Sequence, residues 1–167
     1  MSISTELLPV VLMLSFTATA YAAPPEKDGT LEEFRALPDD ASIAGDVLDL
    51  PVSVDATGLP ESEHYSVHSQ YIQLKPDTRY TLGITYRAQG PSLITAGVKW
   101  IIGGEPLGLA DVDSIRAAWG ETDGWRLRAL TFRSDHEHTT ARIILKAYGG
   151  MSLDVRHVRL VEGWYCD

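Results

Sequence analysis

The chain has 167 residues, with 23 Asp and Glu against 14 Lys and Arg, a formal charge of −9, 44% hydrophobic and 22% charged residues. That balance lacks the clustered basic surface that nucleic-acid recognition requires, so no nucleic-acid partner is expected. Cys166 is the single cysteine, which excludes a disulfide scaffold and leaves stability to a packed core.

From the N-terminus, Leu7 to Phe16 is an apolar run broken only by Pro9 and Ser15, leading into Ala20-Tyr21-Ala22, an A-x-A cleavage pattern. It is shorter than the roughly 20 apolar residues that cross a bilayer. Residues 1–22 are therefore read as a signal peptide, although the n-region has no Lys or Arg and carries Glu6. The expected product is secreted, cell-surface or periplasmic, with no membrane contact once the signal is removed. Residues 23–63 hold eleven acids against Lys27 and Arg35, whereas residues 64–167 hold eleven acids against twelve bases. The acidity belongs to the N-terminal part, and the body is nearly neutral. Residues 23–45 are read as an acidic, partly ordered lead-in that folds back over some strand-face arginines, and residues 46–165 as one domain. Within the lead-in, Thr30 and Glu33 form an S/T-x-x-E capping box, which predicts a short helix over Thr30 to Leu37. Val47 to Val54 supplies a first strand, confined by Pro51 to an edge or a bulge.

From His64 the hydrophobic period becomes two. Tyr80, Leu82, Ile84 and Tyr86 alternate with Arg79, Thr81, Thr85 and Arg87, which predicts a half-buried strand. Leu93 to Ile102 repeats this, with Ile94, Ala96, Val98 and Trp100 on one face, and Trp125 to Arg133, Ala141 to Tyr148 and Met151 to Glu162 continue it. Lys75-Pro76-Asp77, Gly90-Pro91, Gly103-Gly104 and Gly149-Gly150 mark turns. Several strands separated by turn signals predict an all-β sandwich or barrel. Within residues 104–124, Asp111 to Trp119 fits either a helical turn or an ordered loop.

The stretch Tyr71-Ile72-Gln73-Leu74-Lys75-Pro76-Asp77-Thr78-Arg79-Tyr80-Thr81-Leu82 resembles the strand–turn–strand of carbohydrate-binding modules with the galactose-binding-domain-like jelly roll. Asp123-Gly124-Trp125 through Phe132 matches their Trp-opened strand, and Leu153 to Leu160 takes the place of their final strand. The resemblance covers residues 64–162. It implies a two-sheet antiparallel jelly-roll sandwich, with Trp125 and Tyr80 in the core and no catalysis. Many members hold a structural calcium near the final strand, but Arg156 and His157 stand here where the family often has paired aspartates, which removes the acidic pair such an ion needs. No cofactor is expected.

Enzyme signatures are missing: there is no G-x-S-x-G, H-E-x-x-H or phosphate-binding Gly-rich loop. Glu32, Glu33, Asp39 and Asp40 fall in the lead-in, where nothing fixes them at glycosidase separation. His64 with His68, and His136 with His138, are pairs without a third metal ligand, and residues 134–138 read as a polar hairpin loop. Exposed aromatic rings are the usual platform for a pyranose. With Trp100 and Tyr86 assigned to the core by alternation, Trp119, Trp164, Tyr148 and Tyr165 remain as candidates. Trp119 draws interest first, against the reading that it pins a long loop to the body. Arg79, Arg87, Lys99, Arg126, Arg128, Arg142, Lys146 and Arg156 lie on strands. They form either a basic groove for an acidic glycan or, the favoured reading, a solvated face that protects strand edges.

The expected function is thus a non-catalytic secreted carbohydrate-binding module that takes a glycan or polysaccharide through Trp119, Arg87, Lys99, Tyr148 and Trp164. The alternative is an extracellular structural or adhesive subunit that self-associates through the sandwich, with Cys166 linking chains.

Overall fold

The alternation that begins at His64 closes into two packed antiparallel sheets. The computed structural model describes residues 30–37, 42, 48, 50–102, 105–106, 114–134, 136–137 and 139–164. The expected signal peptide (1–22), most of the lead-in, Tyr165 and Cys166 lie outside the described residues. The elements are helix α1 (Leu31–Ala36) and strands β1 (Val52–Asp55), β2 (His64–His68), β3 (Ile72–Gln73), β4 (Arg79–Gln89) and β5 (Ile94–Ile102), then β6 (Glu105–Pro106), β7 (Ser114–Trp119), β8 (Arg126–Arg133), β9 (Thr140–Tyr148) and β10 (Ser152–Glu162). Of the stretch that fitted either helix or loop, Ser114–Trp119 is a strand, and residues 107–113 lie outside the described residues.

Sheet A has the order β1-β10-β4-β8. In sheet B, β9 lies between β2 and β5, β3 also pairs with β9, and β7 and β6 pair with successive parts of β5. The first strand therefore lies beside the last, β2 beside the penultimate one, and β4 and β5 sit in different sheets. Two interleaved Greek keys of this kind make a jelly roll, the architecture expected from the sequence.

Between the sheets, Tyr80, Leu82, Ile84 and Tyr86 of β4 meet Ile94, Ala96, Val98 and Trp100 of β5, with Ile143 and Leu145 of β9 beside them, all at most 5% exposed. Each such side chain contributes about 1.5–3 kcal/mol of burial, which offsets the entropy of ordering the strands. In β10 the inward residues change parity. Leu153 and Val155 face the core before a β-bulge, and Val158 and Leu160 face it afterwards. The bulge leaves Arg156 and His157, consecutive residues, both on the surface.

One expectation is overturned. Trp125 is not a core residue but stands 37% exposed, because it lies seven residues, an odd number, before the inward-facing Phe132 and so falls on the outer side with Arg87 and Arg156. The other expected core rings, Tyr80, Tyr86 and Trp100, are buried.

The lead-in contributes a second, smaller core. The Thr30 hydroxyl accepts from the Glu33 amide and the Glu33 carboxylate accepts from the Thr30 amide, at 3.2 and 2.8 Å, which completes the capping box. A six-residue helix is unstable alone, so docking has to hold it. Phe34 is fully buried against the outer face of sheet A with Val161 and Trp164. Gly83 makes the slot, since a Cβ there would run into the Phe34 ring. The Arg159 guanidinium donates to the Leu37 and Arg35 carbonyls at 2.8 and 3.2 Å, satisfying the C-terminal end of α1. Further along, the Leu160 amide lies beyond the part of β10 that β1 covers, and it donates to the Ser42 hydroxyl at 3.1 Å. The lead-in thus meets sheet A through Phe34 and backbone carbonyls, whereas no described residue of the lead-in packs on the outer face of sheet B.

Candidate functional site

The candidate face is the outer surface of sheet B. Antiparallel pairing sets side chains in rows across the strands, and the register brings together residues far apart in sequence. One row reads His68, Ile144, Gly97 and Arg116; the next reads Ser66, Lys146, Thr95 and Ala118. Arg142 of β9 stands opposite Lys99 of β5, and Tyr148 stands opposite His64. The central strand β5 contributes only Gly97 and Thr95 to the middle of these rows, so the longer side chains on β9 and β7 rise around a shallow depression of about 200 Å³. Gly97 is required there, because a Cβ would collide with the Ile115 carbonyl and with Arg116.

The depression is cationic. Lys99, Arg116, Arg142 and Lys146 line it with His64 and His68, and no carboxylate is among the described residues that do. Its potential registers on His68, whose imidazole is held below its ordinary value of 6.5, first by burial and then by the charges of Arg142, Lys146 and Lys99. The Arg142 Nε is buried without a hydrogen-bond partner among the described residues. A buried donor left unsatisfied costs about 1–3 kcal/mol, and an incoming acceptor would recover part of that. At one end the Tyr148 ring packs on His64 with centroids 5.1 Å apart. From Tyr148 to Arg142 is six residues along β9, so the face runs for about 20 Å.

The five candidates from the sequence do not share one surface. Lys99 and Tyr148 fall on this face. Arg87 lies on the outer face of sheet A, where it pairs with Asp154 at 2.7 Å and lies 5.4 Å from the Trp125 ring centroid. Trp119 points between the sheets and stacks on Tyr86 at 5.5 Å, so its half-buried ring packs against the core. Trp164 is buried against Phe34, and the Thr81 hydroxyl donates to its carbonyl. Neither tryptophan offers the open ring face that stacking needs. Among the described residues, which do not include His138, no three His, Cys, Asp or Glu side chains come together. His136 instead pairs with Asp77 at 2.6 Å.

Residues that sequence reasoning passed over are Gly97, which floors the depression, and Trp125. The alternation of Arg142, Ile144, Lys146 and Tyr148 was a visible signal for one strand of the face. Its partners became visible only with the β5–β9 register.

Among solved structures, the chain is similar to a family 16 carbohydrate-binding module-2, at 16% identity and TM-score 0.48, covering 67% of this chain and 76% of that one. It is also similar to the enzymatically active domain of bacteriophage CBA120 tailspike protein 4, at 12% identity and TM-score 0.50 over 70% of this chain but only 18% of that one. A family 4 carbohydrate-binding module matches at 14% identity and TM-score 0.42, over 59% of this chain and 60% of that one. At these identities the likeness is one of fold alone. No protein-family model and no curated protein sequence matches the chain. Among the described residues no helix is long and apolar enough to cross a membrane.

Proposed function

We propose that this chain is an exported, non-catalytic glycan-binding module, and that an acidic glycan lies along the outer face of sheet B. The observation that carries the reading is the set of cations around Gly97, which no described carboxylate interrupts although the chain as a whole is acidic. Arg142 and Lys99 pair with carboxylate or sulfate groups, Arg142 as a fork, while Tyr148 offers an apolar ring to a sugar face at the end of the row. A volume of about 200 Å³ is below the roughly 300–1,000 Å³ of small-molecule clefts. Such a face suits an extended chain that lies along the strands better than an enclosed monosaccharide. The motif resemblance over residues 64–162 supports the same ligand class, and the apolar segment at residues 7–16 supports export.

The test is calorimetry of the mature chain with hexagalacturonate, a sulfated dextran oligomer and neutral cellohexaose. Binding to an acidic oligomer is expected, with about a tenfold loss in Arg142→Ala and a comparable loss in Lys99→Ala, and the affinity falls as salt rises. Equal binding of the neutral oligomer, or no effect from either substitution, would overturn the reading.

A further inference from the structure

The opposite face of the sandwich holds a second groove, of about 910 Å³, between α1 and the segment that runs from Glu121 into β8. Its position follows from two local features already described: the strand parity that sets Trp125 outward, and the β10 bulge that leaves Arg156 and His157 both exposed. The two meet in space. The Arg156 guanidinium lies 4.7 Å from the centroid of the Trp125 ring. A guanidinium stacked on an indole keeps its in-plane N–H donors available, so the ring holds the fork in place at low entropic cost for an incoming anion.

Beside this pair, Arg35 of α1 is exposed in the same wall, and neither it nor Arg156 is in an ion pair among the described residues. The Arg159 guanidinium is engaged by the α1 carbonyls, and that of Arg128 turns to the Tyr86 hydroxyl on the inner side of the sheet. Glu121 and Asp123 stand in the same wall. Carboxylates within a cationic groove repel a densely charged polyanion but accept hydrogen bonds from hydroxyls. A ligand that carries an anionic group and a ring of hydroxyls satisfies both kinds of wall.

We infer that this groove is a second acidic-glycan site, centred on Arg156 and Trp125, so that the chain carries two sites back to back on opposite sheets and bridges two glycan chains. The ligand class rests on the function proposed for sheet B; the existence of the site does not. The shared chemistry is a carboxylated or sulfated sugar, and the probes separate the two.

Stoichiometry decides it. Hexagalacturonate and a sulfated dextran oligomer are titrated into the wild-type chain, Arg156→Ala, Trp125→Ala and the Lys99→Ala/Arg142→Ala double variant. The wild type is expected to take two oligomers of one probe per chain. Arg156→Ala and Trp125→Ala each lose the same site, and the double variant loses the other. Long polygalacturonate or dextran sulfate, whichever matches, is precipitated by the wild type and by none of the variants. Unchanged stoichiometry in Arg156→Ala, whether the wild-type chain takes one oligomer or two, overturns the second site. Equal binding of polyphosphate overturns its sugar chemistry. A silent Lys99→Ala/Arg142→Ala variant beside a responsive Arg156→Ala leaves this site standing and removes the one on sheet B.

Discussion

The two outer faces of the sandwich are built by the same alternation of side chains and end in opposite states. On sheet A, Gly83 leaves a slot, Phe34 fills it, and Arg159 closes over the carbonyls of the helix that carries it. On sheet B, Gly97 also leaves a depression, but Lys99, Arg116, Arg142 and Lys146 ring it. A glycine facing outward from the middle of a sheet makes a hollow in both cases, and the chemistry of its rim decides what suits that hollow. An apolar rim of Leu127, Val161 and Trp164 takes the chain's own phenylalanine. A cationic rim suits an anionic guest.

Phe34→Ala breaks the closed face. It removes a fully buried ring and is expected to cost about 3 kcal/mol in denaturant unfolding, at the lower end for a buried aromatic because the cluster is small. Binding at sheet B should stay unchanged. A parallel loss of oligomer binding there would show that the two faces are not independent.

The cationic face gives a smaller and opposite contrast. Arg142→Ala should cost binding without lowering stability, since its buried Nε has no hydrogen bond to lose and its removal relieves an unsatisfied donor. Any drop in thermal midpoint would mean that Arg142 has a structural role.

The smallest effect concerns pH. The folded protein holds the His68 pKa below the unfolded value, so protonation favours the unfolded chain. The stability that neutral His68 contributes is fully present above its ordinary value near 6.5, and it is lost as pH falls through the folded value. A slightly steeper acid-side decline in thermal midpoint is expected for the wild type than for His68→Asn, and identical curves would contradict it. An anionic ligand reverses the sign: it favours protonated His68, so acidification toward pH 6 tightens binding.

Much of the sandwich was legible from residue pattern because burial on one face enforces period two. Tyr80, Tyr86 and Trp100 therefore fell where expected, and Thr30 with Glu33 marked the helix. The candidate site was legible only in part. Lys99 and Tyr148 were picked out singly, but that they share a face with Arg142, His64 and His68 depends on strand register, which sets Lys99 beside Arg142 and His64 beside Tyr148 across long stretches of sequence. Trp125 was misread because its motif was placed in the core together with Phe132, although the two lie seven residues apart and so face opposite sides of the strand. The pairing of Trp125 with Arg156 depends on a bulge that shifts β10 by one residue, and alternation alone does not locate such a shift.

The most direct test of the cationic face is chemical-shift mapping of the mature chain during titration with an acidic oligomer, with the His68 imidazole followed in the same samples. The account predicts perturbations along β2, β5 and β9, including Lys99, Arg142 and Tyr148, together with a rise in the His68 pKa on saturation. Perturbations confined to the loop ends of the sandwich, with an unmoved His68, would contradict it.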